Sequence, residues 1–391
     1  MSQPNINRRD FLRMGATGFM LFAAKGNLLA ADSGLERNMA SLSRIGPLRP
    51  PDANGVMLPP GFKSRIVARS GQRPVAASDY IWHDAPDGGA IYATEDGGWI
   101  YVSNSELRDG RGGVGALRFD ASGEPVDAYS ILQGTSVNCA GGKTPWQTWI
   151  SCEEVDLGLV YECDPFGRKS AVARPALGTF RHEAIAVDPV NEIIYLTEDK
   201  PDGGFYRFRP HNPMPDLSHG VLEIAGIRQN KGRRYLNWIE LPDPGARVTE
   251  TRYQAPDYAP FRGGEGIVYQ AGKVYFSTKH DNRVWSYDVA SDELTVVYDI
   301  ETSANPVLSG VDNLTITPAG DVLVAEDGGD MQIVVLTPDN RVVPLLQIPG
   351  HERSEVTGPA FDPSHSRLYF SSQRGAEGSS SNGMTYEISL V

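Results

Sequence analysis

IIYLTED, residues 193–199, is a short apolar run that closes on a threonine and two acids, and the chain repeats the pattern. WIYVSNSE begins at Trp99, TWISCEE at Thr148, VYFSTKHD at Val274, VLVAEDGG at Val322 and LYFSSQRG at Leu368. Most of these are preceded by a second apolar element about a dozen residues upstream, the length of one strand and a turn. These elements are NCAGG at Asn138, HEAIAVDP at His182, GEGIVY at Gly264, VDNLTITP at Val311 and TGPAFDP at Thr357. Asp-Pro, Gly and Asn between the members of a pair are turn residues. Strand pairs recurring at roughly 45 residues are the signature of a radial array of small sheets. The fold expected is all-β, a six-bladed β-propeller.

The spacing nearly doubles between the third and fourth repeats, where residues 202–261 are rich in Pro, Arg and Tyr. The expectation there is an insertion after the third blade, a lid or an elaborated loop. The proline-containing stretch 46–61 reads as an arm wrapping the ring before the first blade. The terminal MTYEISLV is expected to lie beside early strands and close the ring, which removes exposed edges.

Residues 1–31 read differently. Asn-Arg-Arg-Asp-Phe-Leu-Arg at 7–13 places two arginines before a weakly apolar stretch, 14–24, closed by Lys25. This order is that of a twin-arginine export signal. The stretch is about half of the ~20 apolar residues a membrane span needs. The expectation is a signal peptide over 1–31, handled by the twin-arginine translocase, and one propeller domain over 32–391. The mature chain is then periplasmic or secreted, not membrane-bound, and a monomer. This export route carries proteins that fold before they cross, often around a metal.

The chain has 36 basic and 49 acidic residues, a net charge of −13. That charge argues against a nucleic-acid partner and suits cation binding. Three cysteines, Cys139, Cys152 and Cys163, are an odd number for an oxidising compartment, so a disulfide-stapled scaffold is excluded.

In a propeller, equivalent positions of different blades converge on the axis, so distant acids become neighbours. Glu106, Glu153, Glu154, Glu198, Asp199, Glu326 and Asp327 end the second element of their blades, and Glu183, Glu265 and Asp312 sit in the first. So many carboxylates on one channel cannot all stay ionised without a counter-ion. Oxygen ligands in that number fit Ca²⁺ or Fe³⁺ better than Zn²⁺. Cys139 taken alone, beside glycines, reads as a buried packing residue. Lys279 and Arg374 stand where other blades carry acids, and on position alone they are candidates to hold an anionic substrate.

NCAGGKTPWQTWISCEE, residues 138–154, resembles the PhoX-type alkaline phosphatases, with HEAIAVDP, LTED, GGEG, GVDNLT and AEDGG in support. The resemblance spans nearly the whole mature chain, as a short, twin-arginine-exported member. It implies a central site of iron and calcium that hydrolyses phosphate monoesters. It also implies that Cys139 is a thiolate ligand to iron, that Glu153 and Glu154 ligate from one blade, and that Glu183, Glu265, Asp312, Glu326 and Asp327 ligate from others. Glu198 and Asp199 join the set by position. The chemistry expected is metal-assisted phosphoryl transfer with no protein nucleophile. A calcium-dependent lactonase or esterase of the gluconolactonase and paraoxonase kind and a non-catalytic metal-binding propeller are the alternatives. Cys139 and the Cys-Glu-Glu run speak against the first.

Overall fold

All the apolar runs quoted above form strands, because alternation of side chains lets each bury one face against a neighbouring sheet. The computed structural model describes residues 42–390, so the expected signal, 1–31, lies outside the described residues. β1 (Phe62–Arg69) enters first. β2 (Pro86–Ala93), β3 (Trp99–Ser105), β4 (Gly112–Phe119) and β5 (Pro125–Thr135) form one antiparallel sheet. β6 (Asn138–Lys143), β7 (Trp149–Glu153), β8 (Val160–Cys163) and β9 (Val172–Ala173) form the next. Then come β10 (His182–Asp188), β11 (Ile193–Glu198), β12 (Phe205–Pro210), β13 (Gly220–Asn230), β14 (Arg233–Glu240), β15 (Gly264–Gln270), β16 (Lys273–Thr278), β17 (Arg283–Asp288) and β18 (Glu293–Asp299). β19 (Val311–Ile316), β20 (Val322–Glu326), β21 (Gln332–Leu336) and β22 (Val342–Gln347) form another four-stranded sheet. In the last sheet, β23 (Val356–Phe361), β24 (Arg367–Ser372) and β25 (Met384–Leu390) are joined by β1, which pairs with β25. Among the described residues the only helical turns are short 3₁₀ segments.

The structure is thus all-β and propeller-like, but the separate sheets differ from the expected six. β10 to β18 make one nine-stranded sheet in the order β10-β11-β12-β13-β14-β18-β17-β16-β15. Two meanders are joined in it because β14 pairs with β13 along its length and also meets β18 at Arg234↔Leu294 and Tyr235↔Glu293. The stretch 202–261 therefore supplies three strands of this sheet, β12, β13 and β14, rather than an inserted lid. A two-residue turn, Lys231-Gly232, with φ of +48° and +79°, makes the β13–β14 hairpin possible.

Six first strands face the axis. β2 lies beside β6, β6 beside β10, β10 beside β15, β15 beside β19, β19 beside β23, and β23 beside β2, which closes the ring. The β1–β25 pairing is the closure expected of the C-terminal strand. The arm over 46–61 lies on the β19–β22 side: Met57 bridges Gln347, and Val56 and Leu58 join a buried cluster with Leu323, Ile333 and Leu345.

Each axial strand carries one extra residue against its partner. The register slips between Pro86 and Gly89, Asn138 and Gly141, His182 and Ile185, Gly264 and Ile267, and Val311 and Leu314. In β23 it slips one residue later, between Thr357 and Ala360. Such bulges re-aim side chains and are frequent beside functional sites. Here they turn the second residue of each axial strand toward one end of the channel. The third residues, Gly88, Ala140, Ala184, Gly266, Asn313 and Gly358, form a tight collar beneath. A Cβ on Gly88 would lie 2.5 Å from Ala140 Cα, and one on Gly266 2.5 Å from Leu314 N.

Candidate metal centre

Two tiers of side chains stand above that collar. The lower tier is the second residue of each axial strand: Asp87, Cys139, Glu183, Glu265, Asp312 and Thr357. The upper tier is the residue that directly follows each second strand: Glu106, Glu154, Asp199, Lys279, Asp327 and Gln373. Glu355, just before β23, adds an acid and bridges Asp327 through the backbone.

The tiers converge in overlapping groups whose ligand atoms lie within 4.8 Å of one another. One is Cys139, Glu154 and Glu183; a second is Glu183, Glu265 and Asp312. The others are Asp312, Asp327 and Glu355, and Asp87, Glu106 and Glu355. The Cys139 thiol donates to Glu183 Oε1 at 3.3 Å, with Asp87 Oδ2 at 3.7 Å. Gln373 Nε2 donates to Asp87 Oδ2 at 2.5 Å and Glu106 Oε2 at 2.7 Å. Basic side chains rim the site. Lys279 Nζ stands 2.8 Å from Glu265 Oε1 and 3.3 Å from Asp327 Oδ2. Arg374 Nη2 is 3.0 Å from Glu355 and 3.8 Å from Asp327, and Arg181 pairs with Glu154.

The electrostatics are those of a crowded, dry acid cluster. Burial first, and neighbouring carboxylates second, push Asp87, Glu183, Glu265 and Glu355 well above the usual carboxylate range. Burial raises Asp312 to about 7 and Glu154 to about 8, the latter against the pull of Arg181. Burial likewise raises the Cys139 thiol, with Asp87 and Glu183 adding to it. Burial would lower the Lys279 ammonium, but Glu265 and Asp312 more than reverse it. Glu183 Oε2 and Asp199 Oδ1 are buried with no hydrogen-bond partner. Glu265 Oε1 also lacks a well-angled hydrogen bond, despite the nearby ammonium. Buried carboxylate oxygens left unsatisfied cost free energy unless a cation serves them, so this donor set fits a metal centre.

The structure separates the acidic pairs that the sequence reading took together. Adjacent residues on a strand point to opposite faces. Glu154, Asp199 and Asp327 therefore face the channel, whereas Glu153, Glu198 and Glu326 turn into their blades. All three of the latter do the same job, accepting the backbone N–H six residues on: Leu159 for Glu153, Gly204 for Glu198 and Gln332 for Glu326. Their other oxygens take Ser136 N, Arg252 Nη1 and Ser309 N. These carboxylates hold loops and belong to none of the ligand groups. Replacing Glu198 by glutamine is accordingly expected to leave the bound metal per chain unchanged. It should cost about 3 kcal/mol of stability by breaking the buried pair with Arg252, as read in denaturant melts.

Asp87 and Glu355 were not anticipated. Asp87 lies in Pro-Asp-Gly-Gly-Ala-Ile, an axial element of the same acid-then-small form, so extending the repeat one unit upstream of Trp99 finds it. Glu355 precedes its strand and has no counterpart in the repeat. Gln373, rather than Arg374, occupies the position equivalent to Lys279.

A family model for alkaline phosphatase PhoX matches residues 113–157 and 155–293, which include Cys139, Glu154, Glu183, Glu265 and Lys279. The solved structure of Pseudomonas fluorescens PhoX, in complex with vanadate, superposes with a TM-score of 0.73 at 18% identity, over 88% of this chain and 97% of that one. Residues 113–293 thus resemble the PhoX family, and the likeness in fold runs through most of the described chain. A gluconolactonase from Xanthomonas campestris shares the fold at a TM-score of 0.50 and 13% identity, over 89% of this chain and 98% of that one. Among curated protein sequences none matches this chain.

Proposed function

We propose that this chain is a member of the PhoX family, a metal-dependent phosphatase that hydrolyses phosphate monoesters at a cluster of iron and calcium in the channel mouth. The carrying observation is the Cys139 thiol set among carboxylates, 3.3 Å from Glu183 and 3.7 Å from Asp87. Sulfur beside hard oxygen donors favours a transition metal, and iron suits Cys139, Glu154 and Glu183. The all-oxygen groups, Glu183–Glu265–Asp312, Asp312–Asp327–Glu355 and Asp87–Glu106–Glu355, suit calcium. The nine-stranded sheet is best read as two blades fused by β14, which restores a six-fold ring.

When bound, such metals neutralise developing charge and lower the pKa of a water. The chain's own part is to hold that centre and orient the ester. Arg374 has a partly exposed side chain beside Glu355 and Asp327, and its fork can take two phosphoryl oxygens. Lys279 faces the same acids from the other side, its ammonium committed to Glu265 and Asp327 rather than to the phosphate. The collar of small residues packs tightly beneath the acids, and substrate approaches from the acidic end. With the Arg8–Arg9 signal, the enzyme works as a monomer in the periplasm or outside the cell.

A lactonase reading has the gluconolactonase fold in its favour but leaves Cys139 without a role. Metal content of natively exported protein by mass spectrometry, run beside hydrolysis of p-nitrophenyl phosphate and of a sugar lactone, tests the proposal. Iron with calcium and phosphate release are expected. Calcium alone with lactone opening would replace this reading by the other.

A further inference from the structure

The upper tier has six members, and they are not alike. Four blades supply a carboxylate there: Glu106, Glu154, Asp199 and Asp327. The last supplies Gln373, whose amide donates to Asp87 and Glu106. The blade beginning at β15 supplies Lys279. Its main chain is held by an N–H to Gly263 O bond of 2.7 Å, and its side chain is three-quarters covered. The ammonium is thus placed between an acid of the lower tier, Glu265, and an acid of the upper tier, Asp327. Each of these belongs to a different ligand group, Glu265 with Glu183 and Asp312, Asp327 with Asp312 and Glu355. Asp312 is common to both groups, so Lys279 stands where the two meet.

We propose that the Lys279 ammonium is a fixed cation supplied by the protein in place of one metal ion between Glu265 and Asp327, so that the chain binds one divalent cation fewer than its carboxylates alone would take. The inference rests on the metal-centre reading above. The physical argument is one of local charge. Glu265, Asp312 and Asp327 need a positive counter-charge to remain ionised together in a buried site. An ammonium about 3 Å from two of them provides it, and it also repels a divalent ion from the same few ångströms. Gln373, in the equivalent place of another blade, provides donors without charge and so leaves room for a cation beside Asp87 and Glu106. Lys279 is then a positioning residue that keeps a further ion out of the gap between these two groups.

The test is a metal count. Full-length protein, wild type and Lys279→Gln, is saturated with Ca²⁺, dialysed, and its calcium and iron per chain are measured by mass spectrometry. The glutamine variant is expected to carry one more calcium per chain, and Lys279→Arg to keep the wild-type count. A folded Lys279→Gln protein with the wild-type count overturns the proposal. So does an unchanged count accompanied by weakened inhibition by inorganic phosphate, which makes Lys279 a substrate contact instead. Should the glutamine variant fail to fold, Lys279→Glu refolded in calcium answers the same question, since it must also carry one calcium more than wild type. A wild-type chain that holds no metal overturns both this inference and the metal-centre reading. Metal in the wild type without a gain in the variants overturns this inference alone.

Discussion

Exchanging Cys139 for serine is expected to strip the chain of its transition metal and abolish phosphatase turnover while leaving the propeller folded. The side chain changes by one atom and stays the same shape, so the collar and the β6–β7 pairing at Asn138↔Glu153 are undisturbed. What is lost is the only cysteine sulfur in the channel among the described residues, because Cys152 and Cys163 are buried in blade cores elsewhere. A thiol gives up its proton to a metal, whereas a serine hydroxyl holds its own, so the Glu154–Glu183 side keeps two ligands of three. Even partners behind the metal ligands cost about 10–100-fold in affinity when removed, so loss of the ligand itself should cost at least about 100-fold. Calcium held by Asp87, Glu106 and Glu355 uses no sulfur and should persist, giving a protein with calcium but without iron. Cys152→Ser is the control: a hydroxyl buried among Val160, Ile194 and Leu196 should cost about 1–3 kcal/mol of stability and leave iron and turnover in place. Iron retained at the wild-type level in Cys139→Ser would remove the residue on which the functional reading turns.

The two cysteines behave so differently because of where the bulges fall, and that is also what divides the legible from the illegible in this sequence. The strands were readable because their apolar runs recur, and their recurrence implied convergence on an axis. Five of the six upper-tier residues and half of the lower tier followed from that alone, and Cys139 followed only from the family resemblance. The side on which a carboxylate lies did not, because strand alternation makes Glu153 and Glu154 opposites, and only the last residue of β7 decides which one faces the metal. One residue of uncertainty in a strand end is therefore a whole face of uncertainty in the site. The same one-residue limit put Arg374 where Gln373 stands. The β14 stitch was hidden for another reason. Its alternation, with Leu236 buried and Asn237 exposed, is that of any edge strand, and nothing local tells that it will meet β18.

Chelation is the second large effect, and its pH dependence separates a metal-loaded channel from a merely acidic one. In the metal-free fold, burial holds Asp312 at about 7 and Glu154 at about 8, above the values of 3.8 and 4.5 for the free side chains. A carboxyl whose folded value is raised binds its proton more tightly in the folded chain. Its contribution to stability is complete below the unfolded value and is lost as pH rises through the folded one. The metal-free protein should thus melt at a progressively lower temperature as pH is taken from about 5 to about 8. Metal binding runs the other way, since ligands must shed protons to bind and affinity grows with pH. The gap between loaded and chelated protein should therefore be small near pH 5 and wide near pH 8, reaching roughly 4 kcal/mol where free metal stands about a thousandfold above its dissociation constant. Acids elsewhere on the chain cancel in that difference, because both forms carry them at each pH. Scanning calorimetry with and without chelator across this range reads it directly. A gap that does not widen with pH would mean that Asp312 and Glu154 give up no protons to a metal, and the cluster would then be an acidic channel held together by Lys279, Arg374 and Arg181 alone.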